Sequence, residues 1–135
     1  MSADNVVDSL WLGDWADAQT FEGERLCVLE SSAPPGTSFH IPILTIGAPT
    51  WATTPLYGSR AQLDKCAALI SERLAAGKKL LVHCGAGVER SPLTCAWWLV
   101  RSGHCPTLET AYVHLRGIRA CVADRTSWLE PGAKL

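Results

Sequence analysis

Residues 79–92 have the sequence KLLVHCGAGVERSP: a short apolar run, then a glycine-containing loop, then a serine–proline pair. The apolar run predicts a buried strand over Lys79–His83. Serine followed by proline is typical of a helix start, so we expect Ser91 as the N-cap and Pro92 as the first helical residue. These residues therefore predict a strand–loop–helix unit, with the loop running from Cys84 to Glu89.

A loop of this kind, placed before a helix, can bind a tetrahedral oxyanion. Successive backbone N–H groups point at the anion, and the helix dipole adds positive potential. Glycine at 85 and 87 lets the backbone wind tightly enough to bring those groups together. The residues expected to bind phosphate are Gly85, Ala86, Gly87, Val88, Glu89 and Arg90.

Three side chains of this unit are candidates for catalysis. Cys84 begins the loop, where negative charge is favoured, so we expect a thiolate at neutral pH. Arg90 ends the loop and carries a planar fork of donors that can bind two phosphate oxygens at once. The Ser91 hydroxyl can donate a hydrogen bond to the Cys84 sulfur and steady it as a leaving group.

The rest of the chain supplies further strands and helices. Alternation and apolar runs predict strands, whereas helical spacing and capping residues predict helices. The predicted strands cover 6–12, 26–30 and 39–46, and the predicted helices cover 15–20 (capped by Asp14), 59–76, 91–102, 107–119 and a short segment between 124 and 131. Residues 31–38 and 47–58 are predicted loops.

Strands that are short and apolar suggest a sheet covered on both faces. We therefore predict an α/β fold with a central, mostly parallel sheet of four to five strands flanked by helices. The length of 135 residues fits a single domain over 1–135. With 47% hydrophobic and 19% charged residues, the composition is that of a globular and not a disordered chain.

The net charge and the cysteine pattern limit the binding partners and the cellular compartment that we expect. The net charge is −1, which argues against non-specific binding to nucleic acid or to an anionic membrane. We find no apolar run of membrane-spanning length and no signal peptide at the N-terminus. The six cysteines form no CxxC pair, so we expect free thiols in a reducing, cytoplasmic compartment. All except Cys84 are expected in the core.

The loop resembles a known signature. HCGAGVERS over 83–91 matches the HCxxGxxRS pattern of the dual-specificity group in the cysteine-dependent protein tyrosine phosphatase superfamily. Three further segments resemble that group in the expected order: VDSLWLG over 7–13, IPI over 41–43, and the helix from LETAY at 108–112 to Arg119.

This resemblance implies a phosphatase fold and a two-step reaction. Cys84 would attack phosphorus to form a phosphocysteine, Arg90 and the loop amides would hold the transition state, and water would hydrolyse the intermediate. It implies phosphomonoester substrates. Since residues 31–63 hold no Asp or Glu to serve as the general acid, phosphotyrosine and other aryl phosphates are favoured over phosphoserine or phosphothreonine. The expected partners are a phosphorylated protein or small molecule, and phosphate or sulfate in the loop, with no metal or other cofactor.

The chain departs from this pattern at the general acid. Such phosphatases usually carry an aspartate after the third strand, yet residues 31–63 contain no Asp and no Glu. Asp124, as acid or water-orienting group, and Glu89 are the possible replacements. The departure keeps two alternatives open: a phosphoanhydride or RNA 5′-polyphosphate phosphatase, which alone would involve nucleic acid, and a catalytically silent phosphate-binding module.

His83 has two interpretations. Its position beside Cys84 could suggest a metal ligand, but the spacing lacks the paired pattern of a zinc site. We therefore expect His83 to hydrogen-bond backbone and steady the loop.

Overall fold

A computed structural model describes residues 3–29, 32–43 and 59–129 of the protein. Their elements pack as one mixed sheet with helices on both faces. In chain order they are β1 (Asp4–Val7), β2 (Leu10–Gly13), α1 (Trp15–Thr20), β3 (Glu24–Cys27), β4 (Phe39–His40), α2 (Ser59–Ala75), β5 (Leu80–His83), α3 (Arg90–Arg101), α4 (Leu108–Ile118) and a short 3₁₀ helix (Thr126–Trp128).

The strand order is β1-β2-β5-β3-β4, which places β5 in the middle of the sheet. β5 pairs in parallel with β2 on one side and β3 on the other, and all four of its residues are buried. β3 also pairs in parallel with β4, and only β1 runs antiparallel to its neighbour. The predicted mostly parallel, helix-flanked sheet of four to five strands is confirmed.

Side chains alternate between the two faces of β5, as a strand requires. Leu80 and Val82 join the main core, which also contains residues of α2, α3 and α4. Leu81 points to the other face, where it packs with Ala18 and Phe21 of the α1 region. Side chains therefore pack against both faces of β5, the strand that leads into the loop.

Helix α3 is the most buried helix of the described chain, since every residue from Ser91 to Leu99 is buried. Two adjacent tryptophans tie it to α2. The Trp97 indole N–H donates to Asp64 at 2.9 Å, and the Trp98 indole N–H donates to Ser71 at 3.0 Å. Both rings are thus buried without leaving a polar atom unpaired.

The N-terminal strand differs from its prediction. Residues 6–12 were expected to form one strand, but the chain folds there as the β1–β2 hairpin. Asp8 lies in the turn with φ of 48°, a left-handed conformation that aspartate tolerates better than most residues. Without glycine, the usual signal for such a turn was absent from the sequence.

The starts of α1, α2 and α4 agree with prediction to within one residue. Asp14 caps α1 and Thr107 caps α4, each through a reciprocal capping box. The prediction for α3 is wrong, because the helix begins at Arg90 and its N-cap, Glu89, makes no side-chain cap bond. Ser91 lies inside the helix, where its hydroxyl contacts the Cys84 sulfur and does not cap the helix.

The remaining segments differ in smaller ways. Of the strand predicted over 39–46, the structure shows Phe39–His40. Residues 44–58, which include the whole loop predicted over 47–58, lie outside the described residues. Not all the other cysteines are in the core, since Cys105 is half-buried and Cys121 is exposed. Across the described ranges, no helix has the length and apolar character needed to cross a membrane.

Candidate active site

The loop from Cys84 to Glu89 lies at the carboxyl edge of the parallel strands, between the end of β5 and the start of α3. Cys84 is 4% exposed and follows the last residue of β5 directly. Ligands of open parallel sheets bind at this edge, where strands hand over to helices. The fold therefore presents the loop where the sequence predicts an anion site.

Every backbone carbonyl of the loop accepts a hydrogen bond from outside it. The donors come from β5, from the start of α1, from α3 and from the segment after α4. In order from Cys84 to Glu89 the donors are His83 Nδ1 (3.2 Å), Trp15 N (2.9 Å), Arg119 Nη2 (3.3 Å), Arg119 Nε (3.0 Å), Ala123 N (2.9 Å) and Leu93 N (3.1 Å).

The carbonyl partners fix the direction of the amides. In a trans peptide the C=O of one residue and the N–H of the next point in opposite directions, and the described chain has no cis peptide bond. Carbonyls tied to the surrounding fold therefore turn the following N–H groups toward the inside of the loop. Within the described part of the chain, no N–H from Gly85 to Glu89 donates to a protein acceptor. A row of inward N–H groups of this kind is suited to bind an oxyanion.

Gly87 shows why the loop needs glycine. Its φ is +69°, and a Cβ built there would lie 2.7 Å from Nη2 of Arg119 and 2.9 Å from the carbonyl oxygen of Gly13. A larger residue would be strained by the backbone angle and crowded by both neighbours.

Cys84 and Ser91 meet at the floor of the loop. The Cys84 Sγ lies 3.1 Å from the Ser91 Oγ, and the Ser91 Oγ lies 3.4 Å from the carbonyl oxygen of Gly13. Ser91 is fully buried, so its hydroxyl has these two acceptors and no bulk water. It can donate to a thiolate at Cys84, and it can turn to Gly13 when Cys84 carries its own proton.

His83 lies behind the loop, and its imidazole hydrogen-bonds to the loop backbone. Burial lowers the pKa of its imidazole, so the ring is neutral. Because a carbonyl oxygen can only accept, the proton lies on Nδ1 and is donated to the Cys84 carbonyl. The Trp15 ring packs edge-on against the imidazole at 6.4 Å between centroids. His83 thus makes the backbone contact that the sequence predicts for it.

Arg90 is anchored on two sides. Its Nε donates to the carbonyl oxygen of Ile43 at 3.1 Å, and its guanidinium carbon lies 5.8 Å from the centre of the Trp128 ring. The same ring lies 5.5 Å from the guanidinium carbon of Arg125. Trp128 therefore sits between two arginines beside the loop, a position that no sequence signal indicated.

In the described part of the chain, neither proposed replacement acid hydrogen-bonds to Cys84. Glu89 accepts from Arg125 Nε at 2.8 Å. Asp124 Oδ1 accepts from the N–H and hydroxyl of Thr126, at 2.8 and 2.6 Å, and its Oδ2 lies 3.7 Å from Arg116. The Glu89 carboxylate is thus bonded to Arg125, and the Asp124 carboxylate to Thr126 and Arg116.

Comparison with known proteins agrees with this geometry. Residues 37–130, more than half of the chain, match the family described as "Dual specificity phosphatase, catalytic domain". The human "Dual specificity protein phosphatase 12" is 39% identical over 56 residues, which are 42% of this chain and 16% of the human protein. The chain therefore spans only a small part of the length of that curated relative.

Two crystal structures share the fold at low sequence identity. DUSP15 superposes with a TM-score of 0.74 at 19% identity, covering 97% of this chain and 81% of its own. Human DUSP28 superposes with a TM-score of 0.70 at 23% identity, covering 93% of this chain and 86% of its own. Together with the family match, which includes the whole loop, they lead to one conclusion. The chain belongs to the dual specificity phosphatase family of phosphatase-type hydrolases.

Proposed function

We propose that the protein hydrolyses phosphomonoesters through a phosphocysteine at Cys84, with aryl phosphates such as phosphotyrosine as the favoured substrates. The observation that carries this proposal is the loop itself. Six carbonyls are tied to the surrounding fold, and the intervening amides have no acceptor among the described residues. These amides surround a cysteine and a serine 3.1 Å apart.

In the first step the Cys84 sulfur attacks phosphorus, the S–P bond forms, and the ester P–O bond breaks with its electron pair on the leaving oxygen. The loop amides and the Arg90 guanidinium stabilise the charge on the three equatorial oxygens. In the second step water attacks phosphorus and the S–P bond breaks. The Ser91 hydroxyl, 3.1 Å from the sulfur, stabilises the departing thiolate.

The leaving oxygen must acquire a proton, and the chain has few acidic groups that could donate it. Residues 31–63 contain no carboxylic acid, and the carboxylates of Glu89 and Asp124 are engaged with Arg125, Thr126 and Arg116. This observation favours a second candidate function, cleavage of phosphoanhydrides or 5′-polyphosphate ends, because those leaving groups depart without help from an acid.

We expect the rate to depend steeply on the leaving group. General acid assistance contributes about 10²–10⁴-fold, so alkyl phosphates should fall behind aryl phosphates by at least that range. The measurement is kcat/KM over a series of aryl and alkyl phosphates of graded leaving-group pKa, together with inorganic pyrophosphate and a nucleoside triphosphate.

Each outcome of that series has a meaning. A steep slope among esters supports the phosphomonoesterase without an acid, and a preference for the anhydrides over the best aryl ester supports the second candidate. A kcat/KM that does not change with leaving-group pKa would contradict the claim that the leaving group departs without help from an acid. No turnover with any substrate, while oxyanion binding persists, would identify a silent phosphate-binding module.

Asp124 is the alternative proton donor or water-orienting group, and one variant tests it. Because both of its oxygens face donors of Thr126 or Arg116, we expect Asp124→Asn to change kcat for alkyl phosphates, the substrates that depend most on an acid, by less than about 3-fold, far below the effect of losing a general acid. The measurement is the pH–rate profile of the variant beside that of the wild-type protein. Loss of the alkaline limb in Asp124→Asn would show that Asp124 supplies the proton.

A further inference from the structure

Arg119 reaches the back of the anion-binding loop from the end of α4. Its side chain is only 4% exposed. Nε donates to the Gly87 carbonyl at 3.0 Å, and Nη2 donates to the Ala86 carbonyl at 3.3 Å. One guanidinium therefore holds two consecutive peptide groups, and these are the peptides whose N–H groups belong to Gly87 and Val88.

The other side of the same guanidinium faces the N-terminal part of the chain. Nη1 donates to Oδ2 of Asp4 in β1 at 3.0 Å, while carboxylate oxygens of Asp14 and Asp17 lie 3.8 and 3.9 Å away. Burial alone would lower the pKa of Arg119, but the Asp4 hydrogen bond and the nearby charges raise it instead. The buried arginine thus stays charged and joins the first strand to the loop.

The backbone conformation at Ala86 and Gly87 depends on hydrogen bonds from outside the loop. Gly87 has a positive φ, and glycine can adopt other backbone angles at little cost. Without a donor on the Ala86 and Gly87 carbonyls, either peptide plane could rotate and replace an inward N–H by a carbonyl oxygen. A carbonyl oxygen in that place repels an oxyanion where the N–H attracts it.

We infer that Arg119 is a positioning residue of the oxyanion site and that Asp4 holds it in place. Neither side chain has to touch the substrate: Arg119 acts on the two carbonyls, and Asp4 acts on Arg119. The inference rests on the proposed function only for its effect on turnover. Its effect on oxyanion binding is independent of whether the protein is an active phosphatase.

The test is the affinity of the 135-residue chain for tungstate. Binding is measured through the change in the protein's tryptophan fluorescence, at a temperature where each variant is folded. We expect Arg119→Gln to weaken tungstate binding roughly 10-fold or more, since it misplaces two amide donors of the site. Arg119→Lys keeps the charge but cannot bond both carbonyls in a fork, so it should recover only part of the affinity. Asp4→Asn removes the charge that faces Nη1 and should weaken binding by roughly 3-fold, on the order of one charge-assisted hydrogen bond.

A matched control comes from the same helix. Arg116 lies one turn earlier, is half-exposed and pairs with Asp124, so Arg116→Gln should leave tungstate affinity within about 2-fold of wild type, as is usual for a surface pair. A purely structural role for Arg119 would lower the melting temperature and leave the affinity of the folded protein unchanged. In an active enzyme the positioning role also predicts a larger fall in kcat than rise in KM, because the amides act most strongly on the transition state.

The outcomes separate this inference from the proposed function. Weakened tungstate binding in Arg119→Gln and Asp4→Asn, without any turnover in the wild-type protein, would support the positioning role and contradict the phosphatase. Wild-type affinity in a folded Arg119→Gln would overturn the positioning role whatever the activity. If Arg119→Gln does not fold, wild-type affinity in both Arg119→Lys and Asp4→Asn overturns it equally.

Discussion

We expect Cys84→Ser to abolish turnover of every phosphate ester and to leave oxyanion binding intact. This is the largest effect that we expect. Loss of an essential nucleophile costs about 10⁴-fold or more, because a serine hydroxyl at neutral pH is far less nucleophilic than a thiolate. The oxyanion donors are backbone amides and Arg90, so tungstate should bind the variant with an affinity close to that of the wild-type protein.

A second cysteine supplies the control. Cys105 is half-buried between α3 and α4 and is not part of the loop, so Cys105→Ser should retain kcat. Residual turnover near the wild-type rate in Cys84→Ser would contradict a nucleophilic Cys84. Loss of turnover together with loss of tungstate binding would show that the substitution damaged the loop and not the nucleophile alone.

Arg90→Lys should have the second largest effect, although the substitution preserves charge. The guanidinium is a planar group with five N–H donors, one of which bonds the Ile43 carbonyl through Nε, whereas an ammonium group is a point donor. Lysine would also change the cation–π contact with the Trp128 ring. Since removing one oxyanion donor costs about 10²–10³-fold, we expect kcat/KM to fall by at least that range.

The matched control for Arg90 lies at the opposite end of α3. Arg101 forms a surface ion pair with Asp64 at 3.6 Å, so Arg101→Lys should leave the kinetics unchanged. Unaltered kcat/KM in Arg90→Lys would show that the guanidinium does not contact the transferred phosphoryl group.

The parts of the site that could be predicted from sequence are local in the chain. The strand, the loop and the helix that bring Cys84, Arg90 and Ser91 together are continuous over 80–101, and each is determined by apolar spacing or by glycine. Even here Ser91 was misread as a cap. The helix begins at Arg90, two residues before the first helical residue that the serine–proline pair predicts, and the Ser91 hydroxyl lies 3.1 Å from the Cys84 sulfur.

The parts that were missed depend on contacts between distant segments. Arg119 was recognised as the end of a helix, but its bonds to the loop 32 residues earlier, and to Asp4 at the start of the chain, have no signal in spacing or composition. The same is true of the Trp128 ring between Arg90 and Arg125. The β1–β2 hairpin was missed for a different reason, since Asp8 makes its tight turn without glycine.

The most direct measurement is to trap the covalent intermediate. The full-length protein is mixed with an aryl phosphate that carries a radiolabelled phosphoryl group, the reaction is quenched during turnover, and the chain is digested and mapped. We predict label on the peptide that contains Cys84 in the wild-type protein and none in Cys84→Ser. Turnover without label at Cys84, or label on a different residue, would contradict the phosphocysteine mechanism.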